Sequence, residues 1–194
     1  MENKQLWVLT GGNGVGKSSF YKTRLEPQGL PFVNADILAK QFYPDQPEIH
    51  SYEAAKIVEQ IRTQLLEEGR TFCFETVFSH PSKIDFIAQA KAMGYEVVLV
   101  FIHLSMISLN QARVAQRVSE GGHNVPENKI ITRVPRVLQN IQQALPLCDY
   151  CYLLDNSRLD NPFQQIAQLH NGQLVHKVSQ LPEWAKILLN GYLA

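Results

Sequence analysis

The sequence has no excess of either charge, since 18 Lys and Arg balance 18 Asp and Glu. A protein built mainly to coat nucleic acid or an anionic membrane carries a basic surplus, so neither role organises this chain. Long apolar runs are missing too. The longest, Val97 to Ile102, falls far short of the roughly 20 residues that cross a bilayer. Cysteine is scarce, with only Cys73, Cys148 and Cys151 present, which excludes a disulfide framework. Cys148 and Cys151 have C-x-x-C spacing, yet no second pair or His cluster completes a zinc site. They lead into an apolar strand and are expected to be buried thiols. The first residues, Met1-Glu2-Asn3-Lys4, lack the charged-then-apolar layout of a secretory leader. A cytoplasmic protein is the expectation. Charged residues make up 19% and apolar residues 45% of 194 positions, enough for one folded domain with a full core.

What is present starts with Gly11-Gly12-Asn13-Gly14-Val15-Gly16-Lys17-Ser18, which fits G-x-x-x-x-G-K-[ST]. The run Leu6-Trp7-Val8-Leu9-Thr10 reads as a strand feeding this loop, and Ser19-Phe20-Tyr21-Lys22 as the helix leaving it. Glycines let successive backbone N–H groups point at phosphate oxygens, and the helix N-terminus favours negative charge. Gly11 through Ser19 are therefore expected to bind ATP, with Lys17 reaching the β- and γ-phosphates and the Ser18 hydroxyl holding Mg²⁺.

Further strands are expected at Leu30 to Asp36, Thr71 to Thr76, Tyr95 to Leu104 and Asp149 to Asp155. The most apolar of these, Tyr95 to Leu104, should lie centrally and be buried on both faces. Amphipathic helices are expected at Ser51 to Glu68, from Pro81 to Gly94, at Leu109 to Glu120 and at Glu127 to Leu145. A hairpin about Asn171-Gly172 and a helix over Glu183 to Leu189 close the chain. Alternating strands and helices imply an α/β fold of the P-loop NTPase type. It has three layers and a mainly parallel sheet, in one domain spanning 1–194.

Ligands of such sheets sit beyond the carboxyl ends of the strands. Three polar clusters lie there besides the P-loop: Asn34/Asp36, Glu75/Thr76 and Asp155/Asn156/Ser157. Phosphoryl transfer needs positioning, charge neutralisation and a carboxylate that orients the attacking hydroxyl. Asp36 is a candidate base and equally a candidate helix N-cap. Glu75 closes an apolar strand, where a carboxylate has few structural uses. It is read as functional, either in the substrate site or as a Mg²⁺- or water-positioning group. Asp155 has the same strand-end form and competes for the metal. Asn34, Thr76, Arg113 and Arg136 complete the expected substrate contacts.

Arg113 and Arg117 are four apart and share a helix face, as do Arg133 and Arg136 at three apart. They flank Gly121-Gly122-His123, with only Glu120 and Glu127 nearby as acids. Two short helices joined by a glycine turn make an arginine-rich lid over phosphates, roughly residues 105–137.

These pieces occur in an order that resembles the zeta-toxin family of P-loop kinases, in particular its short stand-alone members. The resemblance runs through the P-loop, Val33-Asn34-Ala35-Asp36, Phe74-Glu75-Thr76 and Arg117-Val118-x-x-Gly121-Gly122-His123-x-Val125-Pro126. It continues in Arg133-x-x-Arg136, Tyr152-x-x-Asp155-Asn156-Ser157 and Leu181-Pro182-x-Trp184. It implies an ATP-dependent small-molecule kinase, and the best-known toxins of the family phosphorylate UDP-N-acetylglucosamine on the sugar's 3′-hydroxyl. By the same resemblance Asp36 is the general base and Glu75 a substrate-site carboxylate. Lys17 and Ser18 serve ATP and Mg²⁺, and Arg117 and Arg133 are the lid pair that clamps the phosphates. The sequence names no antitoxin partner.

Two other classes compete. Ser119-Glu120-Gly121-Gly122-His123 faintly echoes an ABC signature, which would suit a regulatory or mechanical ATPase, but an arginine-bearing helix follows where an apolar strand is needed. A polynucleotide kinase is the other alternative. Neutral charge and the lack of an aromatic-and-basic platform argue against nucleic acid. A GTPase is excluded, because neither N-K-x-D nor D-x-x-G occurs.

Overall fold

A computed structural model describes residues 4–42, 51–105, 107–119 and 127–193. Its centre is a seven-stranded sheet in the order β2-β3-β1-β4-β5-β6-β7. The first five are β1 (Gln5–Thr10), β2 (Phe32–Val33), β3 (Phe72–Thr76), β4 (Glu96–His103) and β5 (Tyr150–Asp155), all mutually parallel. The hairpin of β6 (Gln164–His170) and β7 (Gln173–Lys177) adds antiparallel to the β5 edge. Its turn at Asn171 (φ 48°) and Gly172 (φ 71°) takes two successive left-handed residues, which is why Asn-Gly is written there. β4 occupies the middle of the sheet, as its continuous hydrophobicity requires.

The period-2 alternation of the strands sends their side chains into two cores. Leu6, Val8, Val97, Leu99 and Phe101 face one, and Leu9, Val98, Val100 and Ile102 face the other. The first core is closed by α3 (Ser51–Glu67), α4 (Ser82–Ala92), α6 (Glu127–Ala144) and α7 (Glu183–Leu188). The second is covered by α1 (Lys17–Phe20), whose chain continues through a wider π-type turn at Tyr21–Leu25. Helices α2 (Ala35–Phe42) and α5 (Ile107–Ser119) leave the carboxyl ends of β2 and β4. The result is the expected three-layer α/β arrangement with a mainly parallel sheet.

The segment joining the expected lid helices, residues 120–126, lies outside the described residues. The three cysteines are free thiols, each at most 3% exposed. The terminal helix docks by Trp184 and Leu188 and leaves Ile187 at the surface. The hydroxyl of Tyr95 lies 2.9 to 3.1 Å from the carbonyls of Leu65, Leu66 and Arg70, pinning the end of α3 to the start of β4.

Candidate active site

The P-loop is built at the carboxyl end of β1, between β3 and β4. Gly11 has φ 145°, and a Cβ there would lie 2.1 Å from the Ile102 carbonyl oxygen of β4. Gly16 has φ 96°, and a Cβ would meet the Asn156 side chain at 2.6 Å. Both positions need glycine for space as well as for backbone angle. Lys17 folds back over the loop, donating to the carbonyls of Gly11 (3.0 Å) and Gly12 (2.9 Å). Its ammonium also stands 3.6 Å from Glu75 Oε1.

Glu75 joins three of the expected residues. Its Oε2 accepts from the Ser18 hydroxyl at 3.0 Å and from the Asn34 amide nitrogen at 2.8 Å. A carboxylate oxygen and an alcohol, side by side at the phosphate cradle, are the hard donors Mg²⁺ takes. No cluster of three His, Cys, Asp or Glu residues occurs among the described residues. The pair therefore fits an ion that keeps water and nucleotide oxygens as its other ligands, the usual Mg²⁺ arrangement.

Four sequence expectations change. Asn34, expected as a substrate contact, is buried and already committed. Its Oδ1 accepts the amides of Asp36 (2.8 Å) and Ile37 (3.2 Å) while its amide nitrogen holds Glu75. Asn34 is thus the N-cap of α2, and Asp36 is not. Asp36 stands exposed in the first turn of that helix, so capping no longer competes with a role as base. The Thr76 hydroxyl is likewise committed. It accepts the Phe78 amide at 3.2 Å and shapes a turn in which buried Phe78 takes φ 66°.

Asp155, expected to compete for the metal, is engaged as a brace between three segments. It accepts from the Ser105 hydroxyl (2.6 Å), the Ser157 amide (2.7 Å) and the Trp184 indole (3.3 Å). Burial raises its pKa, but the Ser105, Ser157 and Trp184 donors outweigh that and hold the carboxyl below the usual carboxylate range. Beside it, the His103 ring packs against Trp184 with centroids 4.9 Å apart and the planes tilted by 47°. Burial drives its pKa down to about 4, against the opposing pull of Asp155.

The four arginines separate. Arg113 donates to the Asn156 carbonyl at 2.9 Å and lines the nucleotide cleft. Arg133 is half-buried and donates to Asn13 of the P-loop at 3.4 Å. Arg136 is exposed, so the shared face predicted for Arg133 and Arg136 does not place both at the loop. The Arg117 side chain lies outside the described residues.

Asn156 has the largest role that the sequence left unassigned. Its amide nitrogen donates to the Val15 carbonyl at 2.9 Å, and its Oδ1 accepts the Phe163 amide at 3.3 Å. It ties the P-loop to the β5–β6 connection, whose Arg158, Leu159, Pro162 and Phe163 form the far wall of a 470 Å³ cleft. The near wall is Gly14, Gly16, Lys17, Ser18, Ser19 and Glu75. Asn156 lay in a strand-end cluster, but nothing in an isolated Asn signals a partner so distant in sequence.

With this geometry in view, the comparisons with known proteins are decisive. The family model described as Zeta toxin matches residues 2–149. The chain belongs to the zeta toxin family. An uncharacterised protein of Haemophilus influenzae is 27% identical over 135 residues, covering 66% of this chain and 96% of that protein. Among solved structures, the AvrRxo1-ORF1:AvrRxo1-ORF2 complex with sulphate ions superposes with TM-score 0.74 at 18% identity, over 96% of this chain. The same complex with ATP gives TM-score 0.71. This chain spans 64% of the length of the AvrRxo1 chain it matches. The PezAT toxin-antitoxin system of Streptococcus pneumoniae gives TM-score 0.64 at 16% identity, over 98% of this chain and 78% of that one. At these identities the likeness establishes the fold. No helix of the described residues is long and apolar enough to cross a membrane.

Proposed function

We propose that this family member transfers the γ-phosphate of ATP to a hydroxyl of a small-molecule acceptor, a nucleotide sugar such as UDP-N-acetylglucosamine being the first to test. One observation carries the reading. A chain of contacts runs from Lys17 and Ser18 through Glu75 to Asn34, and Asn34 caps the helix that presents Asp36. The phosphate cradle and the candidate base are thereby fixed to one another by side chains.

In this mechanism the acceptor oxygen attacks the γ-phosphorus, its proton passes to the Asp36 carboxylate, and the bond to the β–γ bridging oxygen breaks to release ADP. Lys17 leaves its carbonyl partners for the phosphate oxygens. Arg113 and Arg133 neutralise charge on the moving group from the α5 and α6 side, with Arg117 and Arg136 joining in a closed lid. Ser18 and Glu75 would hold Mg²⁺, which would supply charge neutralisation at the phosphates. Glu75 is thus a metal-side residue here rather than the substrate contact that the resemblance implied. Phe163, Pro162 and Leu159 offer an apolar wall for the base.

The test is consumption of ATP with Mg²⁺, with and without UDP-N-acetylglucosamine, and mass spectrometry of the sugar nucleotide. A phosphate-sized mass gain that disappears in Lys17→Ala supports both the kinase and its acceptor. Undiminished ATP hydrolysis that no hydroxyl acceptor alters would overturn the kinase reading in favour of an ATPase. The PezAT likeness supports an antitoxin partner as part of the proposal. Growth arrest on expression, relieved by Lys17→Ala, is the expected sign, and harmless expression of active enzyme would count against it.

A further inference from the structure

Three consecutive residues at the end of β5 hold the start of α5. That helix begins at Ile107, two residues after Ser105, and brings Arg113 to the wall of the nucleotide cleft. Asp155 Oδ2 accepts the Ser105 hydroxyl at 2.6 Å, and Ser157 Oγ accepts the Ser105 amide at 2.8 Å. Between them, the Asn156 amide donates to the His103 carbonyl at 2.9 Å, and the Asn156 carbonyl accepts from Arg113 at 2.9 Å. Ser105 is thus clamped twice, once by its side chain and once by its backbone, which fixes the direction of the chain as well as its position.

The same tripeptide holds the phosphate cradle. The Asn156 side chain donates to the Val15 carbonyl of the P-loop and accepts the Phe163 amide of the far wall. The P-loop and the approach to α5 are therefore referred to one short piece of backbone. Ser105 itself is exposed, yet the carboxylate it engages is only 8% exposed. A serine needed merely to keep a loop in water has no use for a buried anion.

The geometry makes that clamp a lever. The six helical rises from Ile107 to Arg113, at about 1.5 Å each, span about 9 Å, so a tilt of about 10° at Ser105 moves Arg113 about 1.6 Å sideways. A charge-assisted bond to a phosphate oxygen is lost over such a distance.

We propose that Ser105, clamped by Asp155 and Ser157, is a positioning residue that sets the guanidinium of Arg113 at the nucleotide phosphates. None of these three residues is among those that line the cleft, so their effect on nucleotide passes through Arg113. The inference rests on the reading of Arg113 as a phosphate-side group, not on the identity of the acceptor.

The test is a double-mutant cycle on the full chain, read as calorimetric binding of a non-hydrolysable ATP analogue with Mg²⁺. Arg113→Ala should weaken binding about tenfold, the value of one hydrogen bond between charged groups. Ser105→Ala combined with Ser157→Ala changes an exposed and a half-buried serine and should leave the fold intact. This pair should weaken binding about fivefold beside Arg113, and by less than about twofold once Arg113 is alanine. Ser105→Thr keeps the hydroxyl and should bind as wild type does.

Equal weakening by the serine pair in both backgrounds, or in neither, would make the clamp a part of the scaffold alone and overturn the proposal. So would wild-type binding by Arg113→Ala. Should the paired variant fail to fold, Ser105→Ala alone decides by the same comparison. A wild-type chain that binds no analogue would sink the nucleotide reading together with this one. Failure to phosphorylate any acceptor would sink only the kinase reading, because no turnover is measured here.

Discussion

Replacing Asn156 should damage nucleotide binding from beneath the P-loop. In Asn156→Ala the Arg113 contact survives, because it goes to the backbone carbonyl. What disappears is the bond to the Val15 carbonyl and the bond from the Phe163 amide, at a side chain 6% exposed. Two hydrogen bonds at about 1 kcal/mol each, plus the cost of leaving buried partners unpaired, give a loss of about 2–4 kcal/mol. For a domain of this size that is a fall in Tm of about 4–16 °C. ATP affinity should drop about fivefold, the equivalent of about 1 kcal/mol of lost loop order. Asn156→Asp keeps the acceptor for Phe163 but aims an anion at the Val15 carbonyl and the phosphates, so ATP affinity should rank wild type, then Ala, then Asp. Gly16→Ala offers a coupling check. Its added Cβ would lie 2.6 Å from the Asn156 nitrogen, so it should cost less in the Asn156→Ala background. Thermal unfolding with and without Mg²⁺-ATP measures all three. Equal ATP binding by wild type and Asn156→Asp, or a Tm for Asn156→Ala within 2 °C of wild type (roughly a single surface-type effect), would refute the reasoning.

Asp36→Asn should cut phosphoryl transfer by about 10²–10⁴ while shifting Tm little, since Asn34 retains the cap; steady-state kinetics beside thermal melts would show the split. Asn34→Ala should do the reverse in part, losing about 1–2 kcal/mol of stability with the α2 cap and loosening Glu75, which denaturant unfolding would measure. His103 has a folded pKa of about 4 against the ordinary 6.5, so the unfolded chain binds its proton first. Its contribution is whole above about pH 6.5 and falls by up to about 3 kcal/mol as pH drops to about 4, a slope that His103→Gln should flatten in urea titrations. Asp155 has a depressed pKa, so the stability gap between wild type and Asp155→Asn should be full near neutrality and close only as pH falls below about 4, read in the same titrations.

The sheet was legible because its burial is written with a short period. Leu6 and Val8 enter one core and Trp7 and Leu9 turn to the other, so strand existence follows from local pattern, whereas the strand expected at Leu30 to Asp36 shrinks to Phe32–Val33 because Asn34 caps α2. Val97 to Ile102 carries no polar interruption because helices cover both faces of β4. Punctuation was legible for the same reason. Asn171-Gly172 specifies a turn through its own backbone angles, and the P-loop glycines belong to a recognisable motif even though the contacts that require them, with Ile102 and Asn156, come from other strands.

The site was legible in its charges and obscure in its amides, and the physics explains the difference. A carboxylate or guanidinium at a strand end is conspicuous, since burying it costs free energy that must be offset by something. That is how Glu75 and Asp36 are singled out, while Lys17 follows from the glycine-rich motif and Arg113 and Arg133 from helical spacing. The same conspicuousness singled out Asp155, whose charge is offset by Ser105, Ser157 and Trp184, partners that its strand-end position does not reveal. An asparagine is costly only if its partners are missing, and those partners are backbone groups without sequence identity. Asn34 serves two amides of α2 and Glu75; Asn156 serves Val15 across 141 residues of chain. Either could have been any turn residue. Arg62 is the converse case, for it vanished into an amphipathic helix as one more polar position. Only the structure shows its guanidinium buried between Phe74 and Phe86, with Nε lacking a hydrogen-bond partner among the described residues. Helical periodicity tells which face a residue occupies, but whether its charge is offset depends on what packs above that face. For Arg62 what packs there is a pair of aromatic rings, and burial lowers its pKa against the opposing pull of Glu59.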